Sequence, residues 1–292
     1  VTEQLDPVYV AARTVLLDAL EALAPYRSAI VLVGAQAVYL QTGGAGLVAA
    51  PFTRDGDLAL NPVVVLDVHD PLLDAAMTTA GFALRIRAGG GVDPGTWLKT
   101  TDITGTPLQV PVDLIIPHGA MPGAGNTRGA RLGEHGRTTA MLTRGLEGAL
   151  VDHQTKPVSG LAAGDSRTVD IEVAGVGALL VAKLIKLSER TQGRSDRLKD
   201  KDAGDIYRLI RTTPASAMAV RLRLLSGHPT SAAITAEALE ALPTLFGNAR
   251  AIGVQMAVRA AAQDVPEARV ATQLTSYTAQ LRDALAAQSP EG

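Results

Sequence analysis

The stretch "VLVGAQAVYL" (Val31–Leu40) joins three apolar residues to a glycine and then to an Ala-rich segment without proline. It reads as a short buried strand over Ala29–Val33 that passes through Gly34 into a helix over Ala35–Gln41. The glycine suits a tight turn, and it equally suits a place where backbone amides approach a phosphate. The flanking sequence has to decide between the two.

Upstream, Leu5–Leu23 carries Val15, Leu16, Leu20 and Leu23 at helical spacing, with Pro25 as the stop. Downstream, "TGGAGLVAAPFT" (Thr42–Thr53) reads as a flexible connection. "DLAL" (Asp57–Leu60) follows as a strand ended by Asn61-Pro62, and Pro71–Gly81 as a helix. Phe82–Arg87 alternates like a strand, "AGGGVDPG" (Ala88–Gly95) reads as a turn-rich loop, and Leu108–Ile116 as a strand. His118–Gly136 reads as an exposed Gly-rich loop, and Thr155–Val173 as irregular chain with some strand at the domain's edge. From Val176 to Gln288 nearly everything has helical character, with breaks expected near Pro214, Pro229, Pro243 and Pro266 and a frayed "QSPEG" end. The expectation is an α+β chain: a mixed sheet with helices over 1–174, then a helical domain over 175–292.

Composition narrows the function classes. The 292 residues include 3 Phe, 1 Trp and 5 Tyr, so the core must be Leu, Val, Ile and Ala. The absence of cysteine removes disulfides, thiolate metal ligands and a Cys nucleophile, and fits a cytoplasmic location. No basic-then-apolar leader and no run of about 18 apolar residues is present, so neither a signal peptide nor a membrane span is expected. A net charge of −2 does not describe a wholly basic nucleic-acid binder. The five histidines show no ligand spacing and receive no metal role.

Carboxylates carry the candidate chemistry. Asp55 and Asp57 in "FTRDGDLAL" point to one face if the strand begins there. Two such carboxylates repel unless a cation lies between them, although Asp-Gly is also an ordinary turn signal. Asp113 lies among apolar neighbours in "VPVDLIIP", where an isolated carboxylate is costly unless paired or metal-bound. A Mg²⁺ site shared by Asp55, Asp57 and Asp113 on neighbouring strands is the economical reading. With it, Gly34 gains a role: amides at a helix start receive phosphate oxygens, and the metal bridges them.

Gly34, Thr53-Arg54-Asp55-Gly56-Asp57 and Asp113, in this order, resemble the nucleotidyltransferase superfamily. Its pattern is Gly-Gly or Gly-Ser at a helix start, then Asp-x-Asp, then a third Asp on a later strand. Gly34-Ala35 departs from it: backbone amides remain, the hydroxyl does not, and Gln36 is the expected substitute.

In the helical half, Leu180, Leu184 and Leu187 form an apolar stripe with Lys183 at its side, while Lys186 reads as ordinary surface. Lys183 at a stripe edge can simply snorkel to water. Asp202 and Asp205 share a helix face, and Asp200 or Asp202 could cap the helix. The succession Lys183-Leu184, Arg190 and Lys201-Asp202-Ala203-Gly204-Asp205-Ile206-Tyr207 resembles the AbiEii/MenT-type toxins, which are nucleotidyltransferase-like proteins of toxin–antitoxin systems. The family usually has Arg at the position of Lys201.

The resemblance implies Mg²⁺ on Asp55 and Asp57, with Asp113 completing the site or acting as base. It implies an NTP co-substrate held by Gly34, Ala35, Gln36, Thr53, Arg54 and Lys183, with Asp202 or Asp205 orienting the lysine; Asp202 ranks first. It further implies NMP transfer to an acceptor hydroxyl, that of the tRNA 3′ end, with growth arrest and a cognate antitoxin. A small-molecule nucleotidyltransferase and a degenerate nucleotide-binding protein are the alternatives. Two basic runs flank the motifs: Arg128, Arg131, Arg137 and Arg144, then Arg190, Arg194, Arg197, Lys199 and Lys201. They read as solvated surface or as a polyanion-binding rim.

Overall fold

The structure, a computed structural model, describes residues 5–43, 53–103, 105–121, 123–125, 127–193 and 199–287. Most of the expected connection Thr42–Thr53 lies outside these residues, as do Arg194, Arg197 and the "QSPEG" end. The described chain forms two compact units. One is drawn from Val1–Ala37, Ala50–Thr143 and His153–Ala174, the other from Val38–Ala49, Arg144–Asp152 and Gly175–Gly292. The fold is α+β, a mixed sheet with helices in the first unit and a helical second unit.

In the first unit α1 (Pro7–Ala22) begins at Asp6, whose carboxylate accepts the Val8 amide at 2.7 Å. Its apolar stripe packs on the sheet, with Leu16 against Gly56. β1 (Ile30–Val33) is buried throughout, as its unbroken apolar run requires. α2 (Gly34–Thr42) starts at the next residue. There follow β2 (Gly56–Leu60), α3 (Pro62–Leu66), α4 (Leu73–Thr79), β3 (Ala83–Ile86), β4 (Val92–Ile103), β5 (Thr106–Pro117), β6 (Met141–Thr143), β7 (His153–Ser159) and β8 (Thr168–Ala174). Among the described residues the strands form one sheet of order β3-β4-β5-β2-β1-β8-β7, with β6 also pairing with β5. β2 is antiparallel to β1 and parallel to β5, which puts the two strands bearing Asp57 and Asp113 side by side at the centre.

The second unit contains α5 (Val176–Gln192), α6 (Asp200–Thr212), α7 (Ala215–Ser226), α8 (Ala232–Phe246), α9 (Ile252–Ala260) and α10 (Glu267–Ala286). The buried carboxylate of Asp152 accepts the Gly177 and Ala178 amides at 3.0 and 3.1 Å, satisfying the first turn of α5. Gly175 leaves room for it: a Cβ there would fall 2.2 Å from Asp152 Oδ1.

Several expectations need correction. "AGGGVDPG" is not wholly loop, because β4 begins at Val92. Its pairing with β3 shifts between Leu84 and Ile86, so Asp93–Thr96 bulge out of the ladder. Gly95 adopts φ +73 there, and its amide donates to Thr138 O at 2.7 Å. Thr155–Val173 is mostly a hairpin, with β7 at the sheet edge and β8 one strand in, parallel to β1. Polar residues on its exposed face masked the alternation. His118–Gly136 is not uniformly exposed, since Ala130, Leu132 and His135 are buried. His135 Nδ1 accepts the Leu73 amide, and its Nε2 lies 3.1 Å from Val65 O. Asn61-Pro62 starts a helix as well as ending a strand, with Asn61 capping α3. Pro243 does not break the chain; it lies inside α8, near its C-terminal end.

Trp97, the chain's single tryptophan, is buried in this sheet and reports its unfolding by fluorescence. Gly95→Ala forces a left-handed side-chain-bearing residue and puts a Cβ 2.4 Å from Met141 N and 2.6 Å from Leu114 O. The expected result is a loss of at least about 1–3 kcal/mol in urea unfolding followed by Trp97 emission. An unchanged midpoint refutes this account of the β4 bulge.

Candidate active site

The sheet brings part of the predicted constellation together. Val33 is in register with Asp57 across β1 and β2, and Asp57 is in register with Asp113 across β2 and β5. Gly34, one residue beyond Val33, therefore lies beneath the Asp57 carboxylate. It has φ +71, and a Cβ built on it would stand 1.9 Å from Asp57 Oδ2. No side chain fits without displacing that carboxylate. Ala35 is buried at the start of α2, and the helix's first amides have no acceptors within the helix.

Asp55 precedes β2 and is held twice. The Thr53 hydroxyl donates to its carboxylate, and Gln36 Nε2 donates to its backbone carbonyl at 3.0 Å. This corrects the phosphate role expected of Gln36. The side chain is fully buried, and its Oε1 accepts Arg13 Nε at 2.7 Å. Both ends of the amide are thus engaged in positioning Asp55. Thr53, also fully buried, supports the same carboxylate, whereas Arg54 is exposed.

Asp113 has one carboxylate oxygen, Oδ1, that is buried without a hydrogen-bond partner among the described residues. Burial raises its pKa; a hydrogen bond from Thr96 opposes the rise, and the nearby Asp55 charge adds to it. Thr96 is its register partner on β4. Among the described residues no group of three or more His, Asp or Glu side chains is arranged to hold a metal ion. What the strands do provide is the Asp57–Asp113 pair, with Asp55 close enough to Asp113 to repel it.

The second predicted cluster lies within the helical unit. Lys183 Nζ is 2.6 Å from Asp205 Oδ2 and 3.5 Å from Asp202 Oδ1. All three side chains are buried. Asp205 therefore makes the short contact, reversing the expected ranking of the two carboxylates. Asp202 is engaged chiefly by Arg190 and by Lys186, whose Nζ is 3.3 Å away. Lys186 is thus not ordinary surface. Burial opposes ionisation of Asp202, but the fields of Lys183, Lys186 and Arg190 outweigh it and hold its pKa below the usual carboxylate range. Neither Asp200 nor Asp202 caps α6; Asp200 pairs with Arg259 at 2.7 Å.

Other functional candidates were not legible in the sequence. Arg13 is buried on α1, where it reaches Gln36, the Tyr9 hydroxyl and Ser159 O. Its only signal is a charge within an apolar stripe. Asp93 fell inside the segment read as a turn-rich loop, and Thr96 lies just beyond it. Of the basic runs, Arg144 pairs with Glu189 and Glu237, while Arg131, Arg137, Lys199 and Lys201 are exposed.

No protein-family model matches the chain, and no curated protein matches it. Among solved structures it is similar to one described as an antigenic nucleotidyltransferase-like protein from Paracoccidioides brasiliensis. The similarity has a TM-score of 0.40 at 14% identity, covering 79% of this chain and 93% of that one. No described helix is long and apolar enough to cross a membrane.

Two predictions separate the clusters. Because the folded pKa of Asp113 is raised, the folded state retains a proton that the unfolded chain releases. Stability therefore falls as pH rises from the ordinary carboxylate pKa through the folded one. Asp113→Asn removes this fall and raises the urea midpoint at pH 7, read by Trp97 emission in EDTA; an equal or lower midpoint overturns the assignment. In the second unit, Lys183→Met leaves the buried Asp205 without its close cation and costs about 3–5 kcal/mol by far-UV circular dichroism. Lys186→Met, at a half-exposed side chain, costs less than about 1 kcal/mol. Equal costs refute the picture of Lys183 as a buried partner.

Proposed function

We propose that the chain is a Mg²⁺-dependent nucleotidyltransferase. The observation that carries this reading is the Gly34–Asp57–Asp113 arrangement: a helix start with no side chain, set directly under one carboxylate and in line with a second. Mg²⁺ suits one or two carboxylates completed by phosphate oxygens and water, so the two-strand pair fits it without a closed protein cage. The unpartnered Oδ1 of Asp113, with the Asp55 charge near it, fits a neighbour that brings positive charge. Bound there, the metal would neutralise charge on the triphosphate.

The chain's own groups then have distinct tasks. Amides at the start of α2 receive phosphate oxygens. Thr53 and Gln36 fix Asp55 against rotation and drift. Asp113 accepts the proton of the acceptor hydroxyl as that oxygen attacks the α-phosphorus. The new bond joins acceptor oxygen to phosphorus, the bond from phosphorus to the bridging oxygen breaks, and pyrophosphate leaves. The resemblance to AbiEii/MenT-type toxins favours the tRNA 3′ end as acceptor and an antitoxin as partner.

The test is incubation with each α-³²P-NTP, Mg²⁺ and total tRNA. Label is expected to move onto tRNA with the wild-type chain and at least about 10³-fold more slowly with Asp57→Ala, at unchanged Trp97 emission. Normal labelling by Asp57→Ala refutes the site. Label on a small molecule instead of tRNA refutes the acceptor and leaves the chemistry.

A further inference from the structure

Three guanidinium groups converge on one buried carboxylate beside Asp113. Asp93 lies in the β4 bulge, its side chain 8% exposed. Arg128 Nη2 is 3.1 Å from Asp93 Oδ1, Arg87 Nε is 3.5 Å from the same oxygen, and Arg85 Nη1 is 3.5 Å from Oδ2. The three arginines are 57%, 49% and 41% exposed. Asp93 offsets one of the three charges and Asp113 lies near enough to Arg85 to offset part of a second, so the surplus sits at the exposed Arg87 and Arg128. Each guanidinium has five N–H donors, and one apiece is near Asp93. Like charges gathered so closely favour a bound anion.

The backbone holds these side chains in place. Arg85 is on β3, paired with β4. The Arg87 amide donates to Gly91 O at 2.8 Å, closing the β3–β4 turn. Arg128 O accepts the Leu142 amide at 2.8 Å, and Gly129 bridges to Met141. Arg85 and Asp93 are near enough to Asp113 for their charges to act on it. In the sheet the cluster lies on the β4 side of Asp113, while Gly34 and the start of α2 lie on the opposite, β1 side. If phosphates of the NTP occupy the β1 side, the arginines face the group that approaches Asp113 from the other.

We infer that Arg85, Arg87 and Arg128, organised by Asp93, form a phosphodiester-binding site for a polynucleotide acceptor. This rests on the transferase reading for its orientation, with Asp113 facing the acceptor. The chemistry suits it: guanidinium forks match phosphate oxygens in pairs. A cationic small-molecule acceptor would be repelled by the same surplus.

The test measures binding of a fluorescein-labelled RNA 10-mer by anisotropy, without NTP or Mg²⁺, across a KCl series. Asp93→Asn is combined with Arg85→Gln, Arg87→Gln and Arg128→Gln, so that no buried carboxylate is left unpaired. Affinity is expected to fall at least about tenfold at low salt, and the slope of log K against log salt to shrink by about 2. Arg128→Gln alone is expected to shrink the slope by about 0.7. Arg250→Gln, on the second unit, should change neither. The affinity for labelled NTP with Mg²⁺ should stay at the wild-type value in every variant. No RNA binding by the wild-type chain, or an unchanged slope in both cluster variants, overturns the inference. So does a loss of NTP affinity with RNA binding kept, which assigns the arginines to the triphosphate. A chain that binds RNA through these arginines yet transfers no nucleotide sinks the transferase reading and leaves this site standing.

Discussion

Gly34 has to pass beneath the carboxylate of Asp57, and much of the first unit is arranged around that constraint. The register of β1 on β2 sets Val33 opposite Asp57, so the next residue meets the carboxylate as the chain turns into α2. A positive φ and 1.9 Å of clearance leave glycine as the residue that fits. One turn of geometry follows from it. Gln36, two residues on, reaches Asp55 O, and Arg13 on α1 reaches Gln36. A helix start, a strand start and an outer helix are thereby locked to one another around a single acidic centre.

The two charged clusters follow opposite electrostatic logic. At Asp113 burial, with the nearby Asp55 charge adding to it, makes the carboxyl hold its proton more tightly. In the helical unit Lys183, Lys186 and Arg190 surround Asp202 and Asp205, and Asp202 ionises more readily than usual. The first arrangement sets acidic side chains side by side on neighbouring strands. The second supplies its own cations and acts as an ionic tie between α5 and α6.

Apolar periodicity made most helices and the central strands readable, because burial of one face leaves a direct trace in residue order. It failed where that trace is interrupted. Pro94 and Gly95 look like loop residues, yet they belong to a strand whose bulge needs a left-handed glycine against β5 and β6. The β7–β8 hairpin carries Gln154, Lys156 and Asp170 on its ladder, so polar outward positions hid it. Of the candidate site, Gly34, Asp55, Asp57 and Asp113 could be picked out by order and spacing. Arg13, Asp93 and Thr96 could not, since each acts on a residue distant in sequence.

Order along the chain was enough to determine most element types outside β4 and the β7–β8 hairpin and to nominate the acidic residues, since both depend on local spacing and on the cost of burying charge. Which atoms those residues touch was decided by tertiary structure. Gln36 was read as a phosphate ligand, and folding commits both ends of its amide to Arg13 and Asp55. Lys186 was read as surface, and the packing of α5 on α6 brings it to Asp202. Asp205 rather than Asp202 makes the short contact with Lys183, a choice between side chains three residues apart on one helix. Hydrogen bonds and ion pairs are settled over distances of about 3 Å, and strand register and helix packing set positions on that scale while sequence spacing does not.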